Sequence, residues 1–139
     1  ARRAGLEDLP AIVHLEEELL GIVRPKDLEL LVRRADVFVV EPAGAVRGSL
    51  ARMVRRGVAV FGPILADSLP LFLDLLHAAT ADLAVRTEVR LLVPARLDDL
   101  LAGLLSAGLG VHSLCTYMVR GPYRPFGGYY VPTLMPESG

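Results

Sequence analysis

Apolar positions along the chain repeat at two periods, and the switches between them mark out the elements. Leu9, Ile12, Val13, Leu19 and Leu20 fall on one helical face, and Asp8 and Pro10 suit a first turn, so a helix is expected from about residue 9. Glu16, Glu17 and Glu18 are expected mostly on its solvent side. Pro25 opens a shorter second helix through Leu28, Leu31 and Val32, ending near Ala35. Val37-Phe38-Val39-Val40 is a continuous apolar run of buried-strand length, closed by the turn signal Pro42-Ala43-Gly44. Residues 45–52 are its expected hairpin partner. A turn at Arg55-Arg56-Gly57 leads into a further apolar strand, Val58 to Phe61, extending toward Ile64-Leu65.

Helical spacing returns with Leu69, Phe72, Leu73, Leu76 and Leu83, with Ser68 as N-cap and Pro70 in the first turn. Val89 to Val93 reads as a strand stopped by Pro94. A fourth helix is expected from about Leu97 to Ala107, closed by Gly108, and a strand from Val111 to Val119. The tail, Gly121 to Gly139, holds four prolines and a short strand signal at Tyr129-Tyr130-Val131. Neither an internal repeat nor a linker interrupts this order. A hairpin in the first half and alternating strands and helices in the second argue for one domain, a mixed sheet covered by helices.

Composition sharpens the picture in three places. The chain has 139 residues, 53% of them hydrophobic, with a mean hydropathy of +0.45. That excludes disorder and predicts a full core with apolar face to spare. The longest uncharged run, Leu100 to Val119, is nominally long enough to span a bilayer. Gly103, Gly108 and Gly110 interrupt it and its period changes at the glycines, so helix, stop and strand are expected rather than a membrane span. Net charge is -1, which gives no electrostatic footprint for nucleic acid or an anionic membrane. The single cysteine, Cys115, excludes an internal disulfide, and Ala1-Arg2-Arg3 begins no signal-peptide-like stretch, so a cytoplasmic location is expected. Asn and Gln are absent altogether, which removes side-chain amides from any catalytic scheme.

Particular residues give the order of elements a family likeness. Arg3-Ala4-Gly5-Leu6-Glu7-Asp8-Leu9-Pro10, the hairpin Phe38-Val39-Val40-Glu41 with Val46-Arg47-Gly48-Ser49-Leu50, and Leu104-Leu105-Ser106-Ala107-Gly108-Leu109 resemble the start, the second and third strands and the fourth-helix end of the GNAT superfamily of acyl-CoA-dependent N-acyltransferases. Gly62-Pro63-Ile64-Leu65-Ala66-Asp67-Ser68 and Met118-Val119-Arg120-Gly121-Pro122 look more like the C-terminal half of tandem-GNAT proteins. The resemblance implies an α/β fold of the α+β type over residues 1–139, a mixed, twisted sheet of about six or seven strands flanked by about four helices. It also implies acetyl-CoA as cofactor and a small-molecule amine as acceptor. The pantetheine arm would lie on the fourth strand and the pyrophosphate at the following helix, which here means Ile64, Leu65, Ser68 and Leu69. Partners implied are a second copy in a homodimer or a partner GNAT domain, with no nucleic acid and no membrane.

This sequence departs from the family at that loop. Residues 64–70 contain no glycine, place Asp67 where an anion should sit, and lose one N–H at Pro70. Like charges a few ångströms apart disfavour each other by about 1–4 kcal/mol. Three readings therefore stand: an N-acetyltransferase, a degenerate GNAT module that pairs with another copy, and a non-catalytic ligand-binding domain. For the first, Tyr117 is the candidate general acid and Glu41 the candidate base acting through water. Arg47, Arg52, Arg55 and Arg56 are expected on a solvated hairpin, with a phosphate-holding patch as the functional alternative. His14, His77 and His112 are too dispersed for a metal set, and Cys115 is expected as a buried structural thiol. The tail aromatics Tyr123, Phe126, Tyr129 and Tyr130 are expected in an interface or the core.

Overall fold

A computed structural model describes residues 1–116 and 118–133. Ten elements follow one another: β1 (Arg2–Arg3), α1 (Leu9–Leu20), α2 (Pro25–Arg34), β2 (Asp36–Val40), β3 (Gly48–Arg55), β4 (Val58–Ala66), α3 (Leu69–Thr80), β5 (Glu88–Leu91), α4 (Asp98–Ser106) and β6 (Tyr129–Val131). Short 3-10 turns at Leu6–Asp8 and Pro42–Gly44 join the first of them.

Local chemistry explains most boundaries. Pro10 and Pro25 lie in the first turns of α1 and α2, where a missing N–H costs no helical bond. α1 stops at Gly21, whose left-handed backbone (φ 67°) lets its N–H reach the Glu17 carbonyl at 3.0 Å. Ser68 stands at the N-cap of α3 with extended backbone, yet its hydroxyl makes no capping bond.

The six strands form one mixed sheet, an α/β fold with four helices. β1 to β4 are antiparallel neighbours, β5 runs parallel to β4 after the α3 crossover, and β6 is antiparallel to β4. Alternate residues of the strands feed two cores, one on each face. On one face Phe38, Val40, Leu50, Phe61 and Ile64 pack with Phe72, Leu75 and Ala79 of α3 and Leu100 and Leu104 of α4. On the other, Val37, Val39 and Ala51 pack with Ile12 of α1 and Leu28 of α2. Full burial of each large side chain stabilises by about 1.5–3 kcal/mol, so a sheet covered twice absorbs much of the apolar excess.

β4 changes partner along its length. Leu50 of β3 faces Ile64 and Arg52 faces Phe61, so one β3 residue opposes Gly62 and Pro63 together. This bulge bends the strand. Before it, Val58–Phe61 pair with β5; beyond it, Ile64, Leu65 and Ala66 pair with Val131, Tyr130 and Tyr129.

Four expectations need correction. The apolar stretch from Val111 to Val119 forms no strand among its described residues, and Val111, Leu114, Met118 and Val119 are exposed there. Cys115 on that stretch is exposed, not buried. Glu16 is buried, because Arg24 reaches back from the start of α2 to pair with it. Arg52 leaves the solvated hairpin and is 3% exposed, since β3 turns its side chain under α3.

Candidate functional site

Three features converge where β2, β3 and β4 end together: a polar groove, an arginine bridge and the outer edge of β4. Val40 of β2 faces Gly48 of β3, and Gly48 faces Ala66 of β4, so Glu41 after β2, Arg47 before β3 and Asp67 after β4 sit side by side. Gly48 is glycine for want of room: a Cβ there would meet Val40 Cγ1 at 2.8 Å and Leu75 Cδ1 at 3.0 Å.

The groove, about 430 Å3 and open to solvent, is lined by Glu7, Asp8, His14, Glu41 and Arg47 among others. Glu41 follows β2 and accepts a hydrogen bond from Arg2 Nε at 2.9 Å. The Arg2 guanidinium also donates to both Asp8 carboxylate oxygens at 2.9 and 2.8 Å, which holds the Asp8 carboxyl below its ordinary range. Three carboxylates, of Glu7, Asp8 and Glu41, face one groove, and two of them, Asp8 and Glu41, are paired with Arg2.

Arg47 forms the bridge. Its Nη1 and Nη2 donate to Glu18 at 2.9 and 3.1 Å, and its Nε donates to Asp67 at 2.7 Å. Glu18 is thereby held below the usual carboxylate range. The Asp67 charge, which on sequence grounds opposes an anion at α3, is thus compensated, while Glu18 leaves the trio at net -1.

The expected cofactor residues lie beside this bridge. Ile64 and Leu65 are buried in β4, and their main-chain groups on the outer edge are engaged by β6. Ser68 and Leu69 open α3 half-buried, with the Ser68 carbonyl accepting from Phe72 N–H at 3.1 Å. Tyr117 lies outside the described residues. Of the arginines singled out, Arg55 and Arg56 are exposed, Arg47 is bound as above, and Arg52 donates to Asp36, Asp82 and the Ala79 carbonyl. No group of three His, Cys, Asp or Glu side chains among the described residues is arranged to hold a metal ion.

One feature escaped the sequence. A narrow cleft opens between α1, α2 and the sheet, with Pro63 and Leu65 of β4 on its wall and Glu16 and Ser49 as polar groups in an otherwise apolar lining. Glu16 accepts two bonds from Arg24, at 2.9 and 2.8 Å. Helical spacing marks Glu16 among the three glutamates, four residues after Ile12 and three before Leu19 on the apolar face, and its counter-charge is Arg24, eight residues on.

The family model described as an acetyltransferase (GNAT) domain matches residues 12–126. No curated protein matches the chain. Among solved structures, a point mutant of TTHA1254 from Thermus thermophilus is similar in fold, with a TM-score of 0.61 at 19% identity over 89% of this chain and 100% of that one. No helix among the described residues is long and apolar enough to cross a membrane.

Proposed function

This chain belongs to the GNAT acetyltransferase-domain family, and from that premise we propose that it transfers an acetyl group from acetyl-CoA to a small-molecule amine. The observation that carries the reading is the divided β4: parallel to β5 up to Phe61, then bent at Gly62-Pro63 so that residues 64–66 turn a separate edge outward. That edge suits the amides of pantetheine, and Ser68 and Leu69 at the start of α3 suit the phosphates beyond it. The acidic groove beside Glu41 takes the amine, and Glu41 removes its proton through water. Tyr117 protonates the leaving thiolate. Catalysis of this kind is chiefly positioning, with one base adding about 10²–10⁴-fold. A single domain at work in the cytoplasm, as a homodimer or beside a second GNAT domain, completes the proposal.

A second reading, a degenerate module that pairs with another GNAT copy, draws support from the Asp67 carboxylate at the phosphate end and the exposed apolar stretch around Leu114. Calorimetric titration with acetyl-CoA, followed by thiol release over a panel of primary amines, separates the two. The enzyme reading expects saturable binding and turnover that falls at least about tenfold in Glu41→Gln with acetyl-CoA affinity unchanged. Binding without turnover of any amine, or no binding, favours the pairing module.

A further inference from the structure

The outer edge of β4 beyond the bulge is already filled. β6 lies antiparallel along it, with Val131 against Ile64, Tyr130 against Leu65 and Tyr129 against Ala66. An edge offers one row of N–H and C=O groups, so an extended amide-bearing chain binds there only if that row is free. We propose that β6 is a built-in competitor for the pantetheine arm: it occupies the Ile64–Ala66 edge in the resting chain and leaves when acyl-CoA binds. Such competition rests on the cofactor position proposed above.

The seat is shaped for this strand. Gly62 and Gly128 stand where the two chain segments approach most closely. A Cβ on Gly62 would meet the Pro132 carbonyl oxygen at 2.6 Å, and one on Gly128 would meet the Ala66 carbonyl oxygen at 2.6 Å. Both have positive φ, 143° and 59°, so glycine serves the backbone as well as the space. Side chains then latch the strand. Val131 is fully buried, the Tyr129 ring lies 6.4 Å from Phe72, and the Tyr129 hydroxyl donates to Asp99 at 2.5 Å. Gly127 N–H donates to the Leu19 carbonyl at 2.9 Å, and Arg96 to that of Phe126 at 3.1 Å. The strap thus spans from the end of α1 to the start of α4.

The same arrangement makes it releasable. β6 is only three residues long, and the described residues from Leu109 to Gly128 that lead into it form no helix or strand. Lifting it withdraws Val131 and Tyr129 from the core and breaks the bonds named above, while the pairings among β1 to β5 are made without it, and a short segment of this kind can open without global unfolding. Pantetheine, an extended chain with two amides, would return to β4 the partners that the strand withdraws.

The test compares the parent chain with Gly128→Val, which sets a β-branched side chain against the Ala66 carbonyl in left-handed backbone and so unseats β6. Each is titrated with acetyl-CoA by calorimetry, and amide hydrogen exchange is followed in the parent with and without acetyl-CoA. A strap predicts at least about tenfold tighter binding by Gly128→Val and faster exchange at Tyr129, Tyr130 and Val131 in the parent complex. Binding by the parent with those amides still protected overturns the strap and leaves the cofactor reading standing, whether or not the variant folds. No binding by parent or folded variant overturns the cofactor reading, and the strap with it.

Discussion

Arg52 shows how one side chain ties the far end of the sheet together. Its guanidinium lies 5.2 Å from the centre of the Phe38 ring and donates to Asp36, Asp82 and the Ala79 carbonyl, while Arg3 reaches the same two carboxylates from outside. Removing it leaves the Ala79 carbonyl unpaired beneath α3, so Arg52→Ala is expected to cost about 2–3 kcal/mol in chemical denaturation, less than a fully buried pair because both carboxylates stay half in water. The hydrogen bond from Arg52 holds Asp82 down at about 2. A depressed carboxylate stabilises the fold above its unfolded pKa and ceases to do so as pH falls through the folded one. Stability is therefore expected to drop between about pH 4 and pH 2, and Asp82→Asn to flatten that slope; an unchanged slope contradicts the assignment.

Among the elements, the β3–β4 hairpin has the most direct local code. Arg56 and Gly57 both carry positive φ, 51° and 76°, the pair of conformations that matches a two-residue turn to the twist of its strands. Arginine is the strained member, so Arg56→Asn is expected to raise the unfolding free energy by about 0.5–1 kcal/mol, read as a higher midpoint in denaturant. Such local codes were legible along the chain: Pro10 and Pro25 in first helical turns, the run Val37–Val40, the Arg55-Arg56-Gly57 turn and Tyr129-Tyr130-Val131 as a strand. What periodicity does not encode is partnership. It shows β6 as extended but not that β4 is its neighbour, and it reads Val111–Val119 as a strand from apolar content, whereas a strand exists only where another strand supplies its hydrogen bonds. Glu16 and Arg52 were misplaced for a related reason. A charged residue is buried when a counter-charge from another element meets it, and Arg24, Asp36 and Asp82 lie 8 to 30 residues away.

Across the whole molecule, the sheet serves as a frame whose β2, β3 and β4 ends gather chemistry at one end of the strands. The groove at Glu41, the Arg47 bridge and the β4 edge are adjacent because Val40, Gly48 and Ala66 are in register. Of this site, Glu41, Ile64, Leu65, Ser68 and Leu69 were marked by family likeness alone; no spacing in the sequence singles them out. Arg2, Asp8 and Glu18 were invisible until the fold brought them to Glu41 and Arg47. The apolar excess divides in the same way, most of it consumed by two cores and part left exposed, on Val23, Val85 and the stretch with Val111, Leu114, Met118 and Val119 among others.

The claim on which the rest depends is that acetyl-CoA binds along β4 beyond its bulge and at the start of α3. Backbone amide chemical shifts, followed by NMR as acetyl-CoA is added to the full chain, test it most directly. The expected result is saturable shifts concentrated at Ile64, Leu65, Ser68 and Leu69, accompanied by Tyr129, Tyr130 and Val131. Shifts confined to other surfaces, or a spectrum unmoved at millimolar acetyl-CoA, would contradict it.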